Sequence, residues 1–144
     1  MDGNLTRSDF YGCRNVRYEG VINPQNVPQV IRQYDALLLP THYEKEGYPG
    51  AILEAYEAGL PVIVSNWPTI REIVDESCGL LIKSQSVDEL HQAMEKLKEN
   101  PEFYRQLAQG AIYKREQFSL ETGVDKFIDY CESVVNGTWS ADRE

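Results

Sequence analysis

The chain has 144 residues, 42% of them apolar, which is enough for one domain around a single core and too few for two. A formal net charge of −9 gives no basic field to attract nucleic acid or anionic lipid, and no stretch approaches the roughly 20 apolar residues of a membrane-spanning helix. The three cysteines, Cys13, Cys78 and Cys131, are odd in number and form no CxxC pair or histidine cluster, so they read as reduced, structural thiols of a cytoplasmic protein with no metal site.

Residues 1–14 are polar, carry Gly3 and Gly12 and show no sustained period, so they read as an irregular leader. Asn15-Val-Arg-Tyr-Glu-Gly20 alternates briefly before glycine and predicts a short strand, with a turn at Asn23-Pro24. Pro28, Val30, Ile31 and Tyr34 suit a helix that stops near Asp35, and Ala36-Leu-Leu-Leu39 is a continuous apolar run closed by Pro40, the pattern of a buried strand. A polar, aromatic loop from Thr41 to Pro49 leads into a helix over Gly50 to Ala58, with Gly59 as its C-cap. Pro61-Val-Ile-Val-Ser65 predicts the next strand, Pro68 to Val74 a short helix, and Cys78-Gly-Leu-Leu-Ile82 a fourth strand.

Beyond Lys83 the pattern is wholly helical. Ser86 with Glu89 forms a candidate capping box for a helix to about Lys98, and Asn100-Pro101 breaks it and starts another to about Gln117. Ser119, Leu120 and Glu121 open a last helix whose Val124, Phe127, Ile128, Cys131, Val134 and Val135 form an apolar stripe that needs a surface to cover. Residues 137–144 read as a frayed polar tail, leaving residues 15–136 as the folded domain. His91 lies on a surface helix with no partners for a metal, and Glu95 to Glu102 reads as a solvated face.

Apolar strands alternating with helices predict an α/β domain: a partial Rossmann-like parallel sheet of about four strands, with helices on both faces and a helical C-terminal tail. Ligands of such sheets bind at the C-terminal ends of the strands, which directs attention to the loops after Leu39 and Val64. The first contains Glu46-Gly-Tyr-Pro-Gly-Ala-Ile-Leu-Glu54, two carboxylates on either side of a helix start. That helix start offers unpaired N–H groups and a partial positive charge suited to phosphate, Gly47 and Gly50 permit close backbone approach, and Pro49 presets the turn. Glu54 shares a face with Ala51, Ala55 and Ala58, where an acid suits two vicinal ligand hydroxyls better than packing. Helix-dipole stabilisation alone also favours acids near a helix start, and on spacing alone both readings stand.

The run from Asp35 to Val74 as a whole, Asp-Ala-Leu-Leu-Leu-Pro-Thr, Glu46 to Ala55, Ala58-Gly-Leu-Pro-Val-Ile-Val-Ser-Asn66 and Arg71-Glu-Ile-Val74, resembles the signature of glycosyltransferase family 4 of the GT-B fold. The resemblance implies the C-terminal, nucleotide-sugar-binding domain of a hexosyltransferase-type enzyme of glycan biosynthesis, shortened on its N-terminal side. It implies retaining transfer from a UDP-, GDP- or ADP-type sugar without a metal or other cofactor. By the same resemblance, Glu46 positions the donor sugar as the catalytic carboxylate, Gly47, Tyr48, Pro49 and Gly50 line the sugar and phosphate pocket, and Glu54 holds the ribose. Thr41 and His42 stand in the loop around the base and phosphates, His42 being equally readable as a solvated loop residue. Tyr48 stands where the family has an aromatic that packs into the core. Ser65 and Asn66 are possible nucleotide contacts, and Glu72 either touches the nucleotide or caps its helix.

Residues 1–14 contain Arg7 and Arg14 but not the family's two further strands or its Arg and Lys motif for the pyrophosphate, and no acceptor domain is present. The expectation is therefore a donor domain inactive without an acceptor domain, with a non-catalytic nucleotide-sugar-binding or interaction module as the alternative. In the doubly wound strand order the missing strands separate Val16 from Ala36, so the strands re-pair or their open edges are covered by a second copy or a separate chain.

Overall fold

The computed structural model of the chain describes residues 7–42 and 47–139. Three strands, β1 (Leu37–Leu39), β2 (Val62–Ser65) and β3 (Gly79–Ile82), form a parallel sheet in the order β1-β2-β3. Leu37 pairs with Val62 and Val62 with Gly79, and the register runs on to Ser65 beside Ile82. Five α-helices accompany them: α1 (Val27–Ile31), α2 (Gly50–Glu57), α3 (Val87–Glu99), α4 (Pro101–Gln117) and α5 (Leu120–Val135). Each parallel pair needs a crossover, supplied by α2 between β1 and β2 and by a one-turn 3-10 helix (Pro68–Glu72) between β2 and β3.

The expected α/β architecture holds, with one strand fewer. Asn15–Gly20 forms no strand among the described residues, and every residue from 11 to 20 is exposed. Alternation without a neighbouring strand leaves the ladder bonds unmade, so the segment stays irregular. β1 is therefore an edge strand, and no gap opens inside the sheet. The first helix is also shorter than its pattern, ending at Ile31 before turns that carry the chain to β1.

Side-chain alternation divides the core. On one face Val62 and Val64 pack with Ile52, Ala55 and Tyr56 of α2 and with Trp67, Ile70, Ile73 and Val74 of the following crossover. On the other, Ile63 and Ile82 pack with Ala93 and Leu97 of α3 and Leu107 of α4. The Tyr56 hydroxyl crosses the first layer to donate to the Ile73 carbonyl at 3.0 Å and lies 3.2 Å from Cys78 Sγ. Burial holds this phenol far above its ordinary pKa, so it remains a donor.

α4 joins the two layers by running past the loops that precede β2 and β3. Ile112 packs over Gly59, whose φ of +72° makes it the left-handed C-cap of α2. Two residues earlier Gly110 lies so close to the Ser77 backbone that a Cβ would stand 1.9 Å from the carbonyl oxygen. Lys114 Nζ then meets Asp75 Oδ2 at 2.7 Å. The N-terminal ends of β2 and β3 are thus approached by a helix, and the C-terminal ends are left to loops.

The helix caps largely follow the sequence. Ser86, Asn100 and Ser119 each accept a backbone N–H from the first turn of α3, α4 and α5. The capping box is modified, because the Glu89 carboxylate accepts from the Lys83 N–H rather than from Ser86. The tail is not frayed where it is described: the Thr138 and Trp139 amides both donate to the Ser133 carbonyl, and Trp139 meets Tyr130 edge-on. The apolar stripe of α5 departs most from expectation. No residue of α5 is buried, and Val124, Phe127, Ile128, Cys131, Val134 and Val135 are all exposed. Thr122 and Ser133 are its half-buried positions, so the stripe points away from the domain.

Two outcomes test this packing. Gly110→Ala should destabilise the chain by about 1–2 kcal/mol in urea, since overpacking against fixed backbone, about 1–3 kcal/mol, exceeds the roughly 1 kcal/mol of helix propensity that alanine adds. A gain in stability would show that α4 does not approach Ser77 this closely. Burial raises the Asp75 carboxyl, but Lys114 together with the Ser77 hydroxyl and amide outweighs it and holds the group at about 2. A depressed carboxyl stabilises the fold above its unfolded pKa of about 4, and that contribution is lost as pH falls toward 2. The side chain is 49% exposed, so solvent screening reduces the pair's contribution to about 1 kcal/mol. Lys114→Met should lose about that much at pH 7 and show a flatter stability profile between about pH 4 and 2. An unchanged profile would remove the pair from the account.

Candidate functional site

Two loops meet at the C-terminal ends of β1 and β2. The first leaves Leu39 through Thr41, which is half-buried, and His42, which is exposed, and re-enters at Gly47 to begin α2 at Gly50. Glu46 lies outside the described residues. Pro49 is buried and occupies the N-cap position, while Gly47, Tyr48 and Gly50 are exposed. Among the described residues no side chain caps α2, and no acid stands in its first turn. A Cβ built at Gly47 or Gly50 would meet nothing within 4 Å. Among the described residues no contact demands either glycine.

One turn into α2, Glu54 is exposed, and its carboxylate has no hydrogen bond or ion pair among the described residues. It borders a cleft of about 210 Å³ between α1, β1 and α2, with Ile31, Tyr34, Leu37 and Ala51 among the walls. The small-residue face seen in the sequence is only partly a packing face, with Ala55 buried, Ala58 half-buried and Ala51 exposed beside Glu54.

The second loop begins at Ser65, which is buried, and whose hydroxyl has no hydrogen-bond partner among the described residues. A buried hydroxyl left unpaired costs free energy, so this one is available to an additional group at the strand end. Asn66 is exposed, and its Oδ1 accepts from Arg71 Nε at 2.9 Å. Trp67, Ile70, Ile73 and Val74 bury the 3-10 helix and its flanks against the sheet, leaving Arg71 and Glu72 on its outer side.

Tyr48 corrects the sequence reading. It is 54% exposed rather than packed in the core, and its hydroxyl donates to Glu72 Oε2 at 2.5 Å. The bond to the carboxylate, with a smaller contribution from desolvation, raises this phenol above its ordinary pKa. Glu72 accordingly neither caps its helix nor stands free; it joins the second loop to the first. Arg71, a cation at the C-terminal edge, was also missed. The available signal was Pro68, which starts a turn tight enough to bring position 71 back over Asn66.

Among the described residues no group of His, Cys, Asp or Glu could hold a metal ion, and His91 forms only a 3.4 Å contact with Glu95 on α3. All three cysteines are free, Cys78 buried and Cys13 and Cys131 exposed. No described helix is long and apolar enough to cross a membrane. A groove of about 520 Å³ lies along the open edge of β1 between Tyr34, Leu38, Ile63, Met94, Leu97 and Tyr104. Its walls are mostly apolar, and it contains none of the residues gathered at the strand ends.

Residues 7–114 match the family model of the glycosyl transferases group 1. The chain is 31% identical over 113 residues to a UDP-Gal:alpha-D-GlcNAc-diphosphoundecaprenol alpha-1,3-galactosyltransferase of Escherichia coli, covering 77% of this chain and 29% of that one. Sucrose-phosphate synthase from Thermosynechococcus elongatus has a similar structure, with a TM-score of 0.73 at 21% identity over 88% of this chain and 31% of that one. Anabaena HepE, solved in complex with UDP, gives a TM-score of 0.68 at 20% identity over 75% and 30% of the two chains. The chain spans 26–29% of the length of the curated relatives it matches. It belongs to the glycosyl transferases group 1 family and has the α/β architecture of GT-B glycosyltransferase domains.

Proposed function

We propose that this group 1 glycosyl transferase chain is a nucleotide-sugar donor domain of the family 4 type, which serves retaining, metal-independent sugar transfer together with an acceptor-binding domain. The carrying observation is that, among the described residues, an exposed Glu54 without a hydrogen bond or ion pair stands one turn into an α2 that no side chain caps and whose glycines meet no neighbour. The exposed helix start suits the diphosphate, and the Glu54 carboxylate suits the vicinal hydroxyls of a ribose. Ser65 and Asn66 border the same strand ends, as do Thr41 and His42. Glu46 is assigned to the hydroxyls of the transferred sugar, where a carboxylate would orient the anomeric carbon toward the acceptor.

Transfer requires more than these groups. A departing diphosphate develops charge that preorganised cations or donors must stabilise, usually the largest catalytic contribution, and the strand-end loops offer backbone N–H groups and Arg71. The outward stripe of α5 and the open edge of β1 are apolar surfaces that a second domain, in the same protein or in another chain, would cover. The exposed thiols Cys13 and Cys131 suit a reducing, cytoplasmic setting.

Calorimetric titration with UDP, GDP and ADP and with their sugars, first without and then with magnesium, tests the reading. One nucleotide series should bind, and magnesium should not be required. Glu54→Gln should weaken nucleotide and nucleotide sugar alike by about 1–3 kcal/mol with stability unchanged, the scale of a lost charge-assisted bond. Glu46→Ala should weaken the nucleotide sugar and leave the free diphosphate unaffected. Loss of stability with affinity intact would make Glu54 a helix-architecture residue, and equal losses for both ligands would remove Glu46 from the sugar.

A further inference from the structure

Asn136-Gly137 closes α5, and the pair carries a chemistry that the other asparagines of the chain do not share. The side-chain amide carbon of an asparagine lies within reach of the next residue's backbone nitrogen, and attack there closes a five-membered ring. A side chain on that next residue crowds the attack, and a proline nitrogen has no proton to lose. Every other asparagine precedes leucine, valine, tryptophan or proline; Asn136 precedes glycine. The fold holds the reaction back. Gly137, at a φ of +68°, is the left-handed residue of a Schellman cap: its N–H donates to the Val134 carbonyl at 3.2 Å, and the Thr138 N–H to the Ser133 carbonyl at 2.9 Å. Asn136 stays helical, with a ψ of −2°, which turns the Gly137 nitrogen away from the Asn136 side chain. The Thr138 hydroxyl and the Trp139 N–H also donate to the Ser133 carbonyl, and the Trp139 ring meets Tyr130 edge-on. Ring closure therefore requires the cap to open. Packing opposes that opening little, since no residue of α5 is buried and Asn136, Gly137 and Thr138 are exposed. A terminal turn with so few buried contacts opens at small cost in free energy.

We propose that Asn136 is a spontaneous deamidation site of this chain, gated by the C-cap of α5. The backbone nitrogen of Gly137 bonds to Asn136 Cγ, the bond from Cγ to Nδ2 breaks, and the proton lost by the nitrogen leaves with the departing ammonia. Solvent water, the co-reactant of the second step, then adds to either carbonyl of the succinimide and opens the ring. The product is aspartate or, with the main chain routed through Cβ and Cγ, isoaspartate. Either one places a carboxylate at the negative end of the α5 dipole and adds one negative charge to a chain that carries −9. Isoaspartate also adds an atom to the main chain, so the bonds to Val134 and Ser133 no longer fit together. The conversion is one-way, and it loosens the turn that carries Val134 and Val135 at the end of the exposed stripe.

The test incubates the full chain at physiological temperature and pH, folded and in denaturing urea, and follows it by ion exchange and peptide mass. The folded chain should gain negative charge, with the mass change of an amide turned to an acid confined to the peptide that contains Asn136. It should do so about five- to thirty-fold more slowly than the chain in urea. Thr138→Val and Trp139→Ala, which remove a bond and a ring contact from the cap, should each raise the folded rate about two- to ten-fold and leave the rate in urea unchanged. The urea midpoint of the fold should not move in either variant, because α5 buries nothing. Asn136→Gln should abolish the change, since closure there needs a six-membered ring. A folded chain that stays unmodified, or conversion spread over the other asparagines, would overturn the site. Equal rates in the folded and unfolded chain, or a folded rate indifferent to Thr138 and Trp139, would overturn the cap as its gate. Amide hydrogen exchange in the last turn of α5 should quicken several-fold in the converted chain, and unchanged exchange would overturn the loosening.

Discussion

The constraint on which this fold depends is that β2 cannot face water on either side. Val62, Ile63 and Val64 are fully buried in succession, so both faces of the strand require cover. α2 and the crossover from Trp67 to Val74 satisfy one face, and α3 with the first half of α4 satisfies the other. Leu107 and Ala111 let α4 reach from one layer to the other. It does so past the N-terminal side of the strands, held by the Gly110 and Lys114 contacts. With that end occupied by a helix, the polar groups of the candidate site gather at the C-terminal end, in the loops that β1 and β2 feed.

The local elements were legible because each is determined by its own few residues. The glycine at 59, the caps Ser86, Asn100 and Ser119, and the apolar runs of the three strands act within a turn or a pleat of themselves. Failures occurred where a distant neighbour decides. Asn15–Gly20 has the alternation of a strand, yet a strand exists only by pairing, and no partner lies beside it among the described residues. The stripe of α5 was read correctly as a stripe, but periodicity reports amphipathicity without saying toward what the face points.

The site divides in the same way. The loops at the strand ends and the start of α2 at Gly50 could be read from the order of strand, loop, glycine and helix. The bonds Tyr48–Glu72 and Asn66–Arg71 could not, since both depend on how a buried one-turn helix is seated against the sheet. Tyr48 shows the difference plainly. An aromatic next to a helix start resembles a core residue until the hydroxyl is seen to reach a carboxylate from the next loop. A polar atom on a large ring can reverse the side of the chain on which the ring belongs.

The distribution of charge bears on what this arrangement does unaided. The chain carries −9 overall, and a diphosphate approaching it meets a repulsive field at long range. Attraction must therefore be short-ranged, supplied by backbone N–H groups at α2 and by whatever cation lies close. Arg71 is such a cation, but its Nε is directed to Asn66 and the carboxylates of Asp75 and Glu76 border the same cleft, which weakens its hold on an anion. The hydroxyl-bearing parts of a nucleotide sugar would face a different balance, since a carboxylate without a partner among the described residues, such as Glu54, can accept their hydrogen bonds without requiring positive charge. On the donor-domain proposal, recognition by the described residues would lean on hydroxyls rather than phosphates. Among the described residues, Arg71 is the cation at these strand ends, and its tie to Asn66 limits what it offers a departing diphosphate.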